Sequence, residues 1–234
     1  MEFGSAAFIL ALIQIIWVNI LLSGDNAVVI ALAARSLPAH QQKKAIVIGS
    51  AAAIVMRIVL TLVAAQLLQL PWLKLIGSLL LLYIGISLLL PEGEEGEGKL
   101  AKDGLMAAIR TILIADLVMS LDNVIAVAAA AMGNTVLLVL GLAISIPLVI
   151  FGSTLLLKVI ERFPLIVWLG AALLGFIAGE LFVNDPALHT EAIEASMGLT
   201  HHAAEIGAGI LGAVIVLVVG KVMMSRRRSS DQPA

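Results

Sequence analysis

The chain contains no cysteine, which excludes disulfide frameworks, thiolate metal sites and thiol catalysis. Aromatic residues make up only 4% of it, too few for base-stacking platforms or a large aromatic cofactor pocket. Charge is scarce as well: 13% of residues are Asp, Glu, Lys or Arg, and the formal net charge is −2. That balance provides no basic surface for nucleic acid. There is no phosphate loop, dinucleotide fingerprint or Ser/His/Asp arrangement. The expectation is a non-enzyme without a prosthetic group.

What is abundant is apolar sequence. Of 234 residues, 61% are hydrophobic, and the mean hydropathy is +1.11. Soluble domains carry about 45–50% apolar and about 25% charged residues. A soluble core of this length cannot hide the excess, so the composition predicts a polytopic membrane protein with the lipid bilayer as its partner. Helices are the default, because open strands leave backbone groups unpaired in lipid. The expected fold class is therefore all-α. Crossing about 30 Å of hydrocarbon takes about 20 helical residues, and seven runs qualify: 7–33, 45–69, 72–90, 105–132, 135–157, 164–183 and 205–224. Pro38, Pro71, Gly133-Asn134, Pro164 and Asn184-Asp185-Pro186 punctuate them.

Seven spans put Arg35, Lys43, Lys44, Lys99, Lys102, Lys158, Arg162, Lys221 and Arg226–Arg228 on one side, and only Lys74 on the other. By the positive-inside rule the N-terminus is outside and the C-terminus cytoplasmic. The first run lacks a basic n-region and is too long for a signal peptide. Residues 91–104, PEGEEGEGKLAKDG, read as a solvated acidic cytoplasmic linker, 184–204 as an outer loop and 225–234 as a basic tail.

The linker divides the chain into related halves, 1–90 and 105–183, with the seventh helix, 205–224, added after them. NILLSGDNAVVIA (Asn19–Ala31) aligns with DLVMSLDNVIAVA (Asp116–Ala128), matching Asn19 to Asp116, Ser23 to Ser120 and Asp25-Asn26 to Asp122-Asn123. Pro71–Ile84 aligns with Pro164–Ile177. Three spans per half is an odd number, so the two copies enter the membrane from opposite sides. Inverted three-helix repeats are a recurring plan of secondary transporters, with the substrate site near the midplane.

Ionisable groups inside hydrocarbon cost a few kcal/mol or more each and mark a pathway or a pairing. Asp25, Asp116 and Asp122 qualify. Helical spacing puts Asn19, Ser23 and Asn26 on one stripe and Asp116, Ser120 and Asn123 on its counterpart. Asp25 and Asp122 sit about 100° round. Either the stripe is wide, or the helices unwind near these motifs, which Gly24 eases in the first half and Leu121 disfavours in the second. The hard oxygen donors suit Mg²⁺, Ca²⁺ or Mn²⁺. Met119 lies near the face of Asp116 and would favour a softer transition metal, though packing is the commoner role of methionine. Arg57, mid-span, needs a partner; a structural pairing and contact with the substrate are both open. Glu180, near the outer end of the sixth span, either lines an exit or faces outside water. The outer loop's Asp185, His189, Glu191, Glu194, His201, His202 and Glu205 match no zinc motif and read as a hydrated loop.

Ser23–Pro38 and Asp116–Ala128 resemble the paired signatures of the TerC family of integral membrane proteins, and the resemblance extends over nearly the whole chain. The family is related to the LysE exporters, and its bacterial members are associated with manganese efflux and with tellurium-ion resistance. The resemblance implies a bacterial inner-membrane protein whose metal-site positions are Asp25, Asn26, Asp116, Asp122 and Asn123. The expected function is export of divalent transition-metal ions, Mn²⁺ foremost, by alternating access between the first and fourth helices, with proton coupling as an option. Two alternatives stand beside it: a non-transporting, partner-recruiting metal-binding scaffold, and a LysE-like exporter of small amino compounds. Homo-oligomers are left open.

Overall fold

Among the described residues of the computed structural model every regular element is a helix: α1 (Ala6–Leu22), α2 (Gly24–Ala34), α3 (Ala39–Leu67), α4 (Leu73–Leu89), α5 (Leu100–Ala131), α6 (Thr135–Arg162), α7 (Leu165–Val183) and α8 (His201–Ser230), with a 3-10 turn at Pro186–Leu188. The structure describes residues 4–67, 70, 72–90, 100–131, 134–188 and 200–230. Within the helices, the side chains of residues 6, 7, 21, 64–67, 100–103, 122, 125 and 227–230 lie outside that description. So do residues 91–99 of the expected linker and 189–199 of the expected outer loop, including His189, Glu191 and Glu194. Residues 100–104 and 225–230, expected in the linker and the tail, are helical. Once a helix emerges into water, its backbone ladder continues without an apolar run to support it.

Five helices among the described residues are long and apolar enough to cross a bilayer: α3, α5, α6, α7 and α8. The pair α1–α2 makes a sixth if it is one span bent by 49°. The remaining run is α4, apolar but only 17 residues long, about 25 Å at 1.5 Å per residue. The helices present bare aliphatic and aromatic surface, with Trp17, Phe151, Leu169 and Leu211 each more than half exposed. Exposed apolar side chains of this kind are a surface for lipid.

The chain forms two compact units, one from residues 1–68 and 96–162, the other from 69–95 and 163–234. Each unit therefore draws helices from both sequence repeats. In the first unit α3 packs on α5, and α1–α2 on α6. Both contacts close over a glycine: Gly49 lies under Ile112, and Gly141 under Ile15. Ile15 and Ile112 stand four residues before Asn19 and Asp116, so the two contacts occupy matching places in the repeats. Phe8, Ile15, Ile54, Val127, Leu137 and Leu142 belong to one apolar cluster of this unit. In the second unit α4 packs on α7, its counterpart in the repeat, and α7 on α8.

The start of α4 is held by a residue from far along the chain. Trp72 precedes the helix with φ +70°, in the left-handed region, and its side chain offers no cap. Asp185 supplies one: Oδ1 accepts from the Trp72 N–H at 3.0 Å and Oδ2 from the Leu75 N–H at 2.9 Å. Oδ1 also accepts from the Ala187 N–H at 2.8 Å. Asp185, expected in a hydrated loop, is thus only 3% exposed and serves the donors that a helix N-terminus leaves free. Burial pushes its carboxyl up, but the N–H groups of Ala187, Leu75, Trp72 and Lys74 outweigh burial and hold it below the ordinary carboxylate value. Asp185→Ala is expected to cost about 1–2 kcal/mol, the cost of losing a cap. Because the folded pKa is depressed, the stabilisation is complete above the unfolded pKa of about 3.9 and disappears as pH falls through the lower, folded value. Unfolding measured from pH 7 to pH 3 checks this: wild type and variant should converge only at the acid end.

Candidate functional site

The polar stripes of α1 and α5 meet at the guanidinium of Arg57 on α3. Arg57 is 2% exposed, too far from either end of a 29-residue helix for its charge to reach water. Nη1 donates to Asn19 Oδ1 and to Ser23 Oγ, both at 2.8 Å. Nη2 donates to Asp116 Oδ1, closing a buried ion pair. Ser23 Oγ donates in turn to Asn19 Oδ1 at 3.4 Å, and Ser120 Oγ to Asp116 Oδ2 at 3.3 Å. These two i, i+4 pairs are the residues that the repeat alignment matches, and one planar fork binds both. Thr61 Oγ1 donates to the Arg57 carbonyl at 2.7 Å, one turn further along α3. Arg57 Nε and Asn19 Nδ2 are buried without a hydrogen-bond partner among the described residues.

The first apolar run is broken at this level. α1 ends at Leu22 and α2 starts at Gly24, with Ser23 between them at φ −110° and ψ 4°. The α5 helix runs unbroken through the matching position, Leu121. Glycine's backbone freedom and leucine's good helix propensity account for the difference. The break strands the Leu22 carbonyl, and Asn123 Nδ2 donates to it at 3.2 Å. Asp25 opens α2, half-buried; its Oδ1 accepts from the Asn26 N–H at 2.8 Å, and it lies within electrostatic range of Arg57 and Asp116. Asn26 is 2% exposed, and neither Nδ2 nor Oδ1 has a partner among the described residues. Asp122 belongs to α5, but its side chain is outside the described residues.

The chain matches the model of the integral membrane protein TerC family over residues 4–229. It belongs to that family. A TerC-family chain thus places the matched polar residues of its repeats around one buried arginine. Among curated proteins it is 44% identical over 181 residues to the uncharacterized membrane protein YjbE of Bacillus subtilis (strain 168), covering 77% of this chain and 83% of that one. It is 29% identical over 180 residues to YceF, covering 73% and 69%, and 24% identical over 244 residues to YkoY, covering 92% and 74%; both are uncharacterized membrane proteins of the same strain. No solved structure matches the chain.

Of the residues singled out from the sequence, the structure brings Asn19, Ser23, Arg57, Asp116 and Ser120 into one hydrogen-bonded cluster. Asn123 is joined instead to the helix break. Met119 is buried in the core of the first unit, while Glu180 lies on α7 in the second, half-buried, with its carbonyl accepting from Asn184 Nδ2 at 3.0 Å. Among the described residues, no three His, Cys, Asp or Glu side chains converge closely enough to hold a metal. The cation that Asp116 meets is the guanidinium of Arg57. The sequence reading misplaced Asp185, read as part of a hydrated outer loop, and missed Thr61, hidden as one hydroxyl in an apolar run. A lone polar residue seven or eleven positions from Ser50, as Arg57 and Thr61 are, shares its helix face. That spacing was the available signal for Thr61.

Proposed function

We propose that this TerC-family protein is a multi-pass carrier, not an enzyme, that exports divalent transition-metal ions, Mn²⁺ foremost, from the cytoplasm. The observation that carries the reading is the convergence of repeat-matched polar pairs from α1 and α5 on buried Arg57. Buried charge at helix depth costs a few kcal/mol per group and persists where it serves transport or a pairing. Asp25, Asp116 and Asp122, with the amide oxygens of Asn26 and Asn123, are the proposed ligands. Carboxylate and amide oxygens suit a hard or borderline divalent ion. Three carboxylates and one guanidinium sum to a charge that one such ion neutralises. We place the protein in the bacterial inner membrane with its N-terminus outside, as the distribution of Lys and Arg supports. The two repeats would insert oppositely and rock about the site, driven by an ion gradient.

The test is calorimetric titration of Mn²⁺ into wild type, Asp25→Asn, Asp116→Asn and Asp122→Asn, followed by flux in proteoliposomes with and without a pH gradient. Each variant is expected to lose at least tenfold in affinity, about 1.4 kcal/mol, while keeping its fold. Wild-type affinity in all three would remove the site assignment, and absence of Mn²⁺ flux from folded wild type would remove the carrier. The ion pair itself is equally what a non-transporting scaffold would contain. Mn²⁺ binding without flux, together with a stoichiometric partner on purification, would favour that reading. Competition by lysine would favour an exporter of amino compounds.

A further inference from the structure

The repeats differ at one place where their sequences match. The first span is broken at Ser23, and Asn123, from the second repeat, donates its amide N–H to the freed carbonyl of Leu22. Under the alignment of Asn19 with Asp116, Leu22 corresponds to Met119, Ser23 to Ser120, Gly24 to Leu121, and Asn123 to Asn26. The bond equivalent to Asn123–Leu22 would run from Asn26 Nδ2 to the Met119 carbonyl. It is absent, because α5 is unbroken there and the Met119 carbonyl remains within the helical ladder. Asn26 is left 2% exposed, and neither end of its amide is paired among the described residues. Buried amides are normally satisfied, and an exception calls for a physical reason.

We propose that Asn26 and Asn123 form an exchanging latch, with Asn123 Nδ2 holding the broken first span in the state described here and Asn26 Nδ2 taking the Met119 carbonyl when α5 breaks in the opposite-facing state. Two repeats related by a pseudo-two-fold axis exchange local conformations when a carrier changes the side it faces. The amide that is unpaired in one state is then the paired one in the other. Leaving Asn26 unsatisfied keeps this state from being too deep to leave, since satisfying it rewards the exchange. The latch uses the amide nitrogens, so the oxygens remain free for cargo. Glycine at 24 and leucine at 121 make the two breaks unequal and bias the empty protein toward the present state. This deepens the carrier reading and rests on it for direction, but not for its test.

The chain is naturally free of cysteine, so single cysteines placed at either membrane face report access by labelling without background. The full-length protein in native membranes would be compared as wild type, Asn26→Leu, Asn123→Leu and Leu121→Gly, with thermal midpoints measured on the purified proteins. Asn26→Leu removes an unpaired amide. It is expected to keep or raise the midpoint, lock labelling in one pattern and lower Mn²⁺ flux at least tenfold. Asn123→Leu strands the Leu22 carbonyl; it should lower the midpoint and shift labelling the opposite way. Leu121→Gly, which carries no ligand atom, should shift labelling in the same sense as Asn123→Leu. Asn26→Leu and Asn123→Leu moving labelling in one direction, or Asn26→Leu transporting at the wild-type rate, overturns the latch. Failure of the wild type to carry Mn²⁺ overturns the cargo alone, because the opposed labelling shifts are read without metal.

Discussion

Arg57→Met is expected to destabilise the protein by about 3–5 kcal/mol, the range for removing one partner of a buried ion pair. Asp116, at 5% exposure, would lose its cationic partner, with Ser120 Oγ as its remaining side-chain donor among the described residues. Asn19 and Ser23 would lose their shared donor at the same time. Arg57→Lys keeps the charge but replaces a planar fork with a single ammonium that cannot span α1 and α5 together, so it should recover only part of the loss. The decisive variant is Arg57→Met with Asp116→Leu. Replacing both charges by apolar groups of similar size removes the desolvation cost along with the attraction, and is often neutral or stabilising. Unfolding in mixed detergent, followed by helix content, reads the cycle. A double variant as unstable as Arg57→Met would mean that the arginine acts through Asn19 and Ser23 and not through the ion pair. Transport is expected to stay lost in the double variant even where stability returns, because a proposed ligand has gone.

The second large effect lies in the other unit. There α7 and α8 touch backbone to backbone through Gly175, Gly179 and Gly212: a Cβ on Gly212 would overlap the Gly175 carbonyl, and one on Gly179 the Ala208 carbonyl. Without a hydrophobic force between helices in lipid, close backbone approach over small residues is a main source of association. Overpacking generally costs about 1–3 kcal/mol, and a main-chain carbonyl cannot rotate aside as a side chain can. Gly212→Val is therefore expected to reach or exceed the top of that range, with Gly212→Ala already harmful. Gly207→Ala is the control. It lies on the same helix, nothing stands within 4 Å of its Cβ, and better helix propensity should make it neutral or stabilising by up to about 1 kcal/mol. Equal thermal midpoints for Gly212→Val and wild type would show that the two helices do not rely on this contact.

Much of this was readable in one dimension. Composition alone demanded lipid as solvent, because no soluble core could absorb so much apolar sequence. The helices follow the hydrophobic runs, and their ends follow Pro38, Pro164 and Gly133-Asn134. The repeat alignment singled out Asn19, Ser23, Asp116 and Ser120; the first three bind one arginine, and Ser120 donates to Asp116 beside it. Boundaries were less legible where a helix passes from hydrocarbon into water, since hydropathy changes there and hydrogen bonding does not. Hence α5 starts inside the expected linker and α8 continues into the expected tail. The length of α4 was equally hidden: apolar sequence continues to Leu90, but the structure gives it 17 helical residues.

Class, helical content and the polar residues of the two aligned segments were legible in local pattern, because burial and periodicity depend on neighbours within a few turns. Which polar atom meets which was decided only in three dimensions. Arg57 reaches Asp116 across 59 positions, Asn123 reaches Leu22 across 101, and Asp185 reaches Leu75 across 110. Hydropathy carries no information about such partners, since a hydrogen bond needs atoms aligned to a fraction of an ångström and that alignment comes from how whole helices pack.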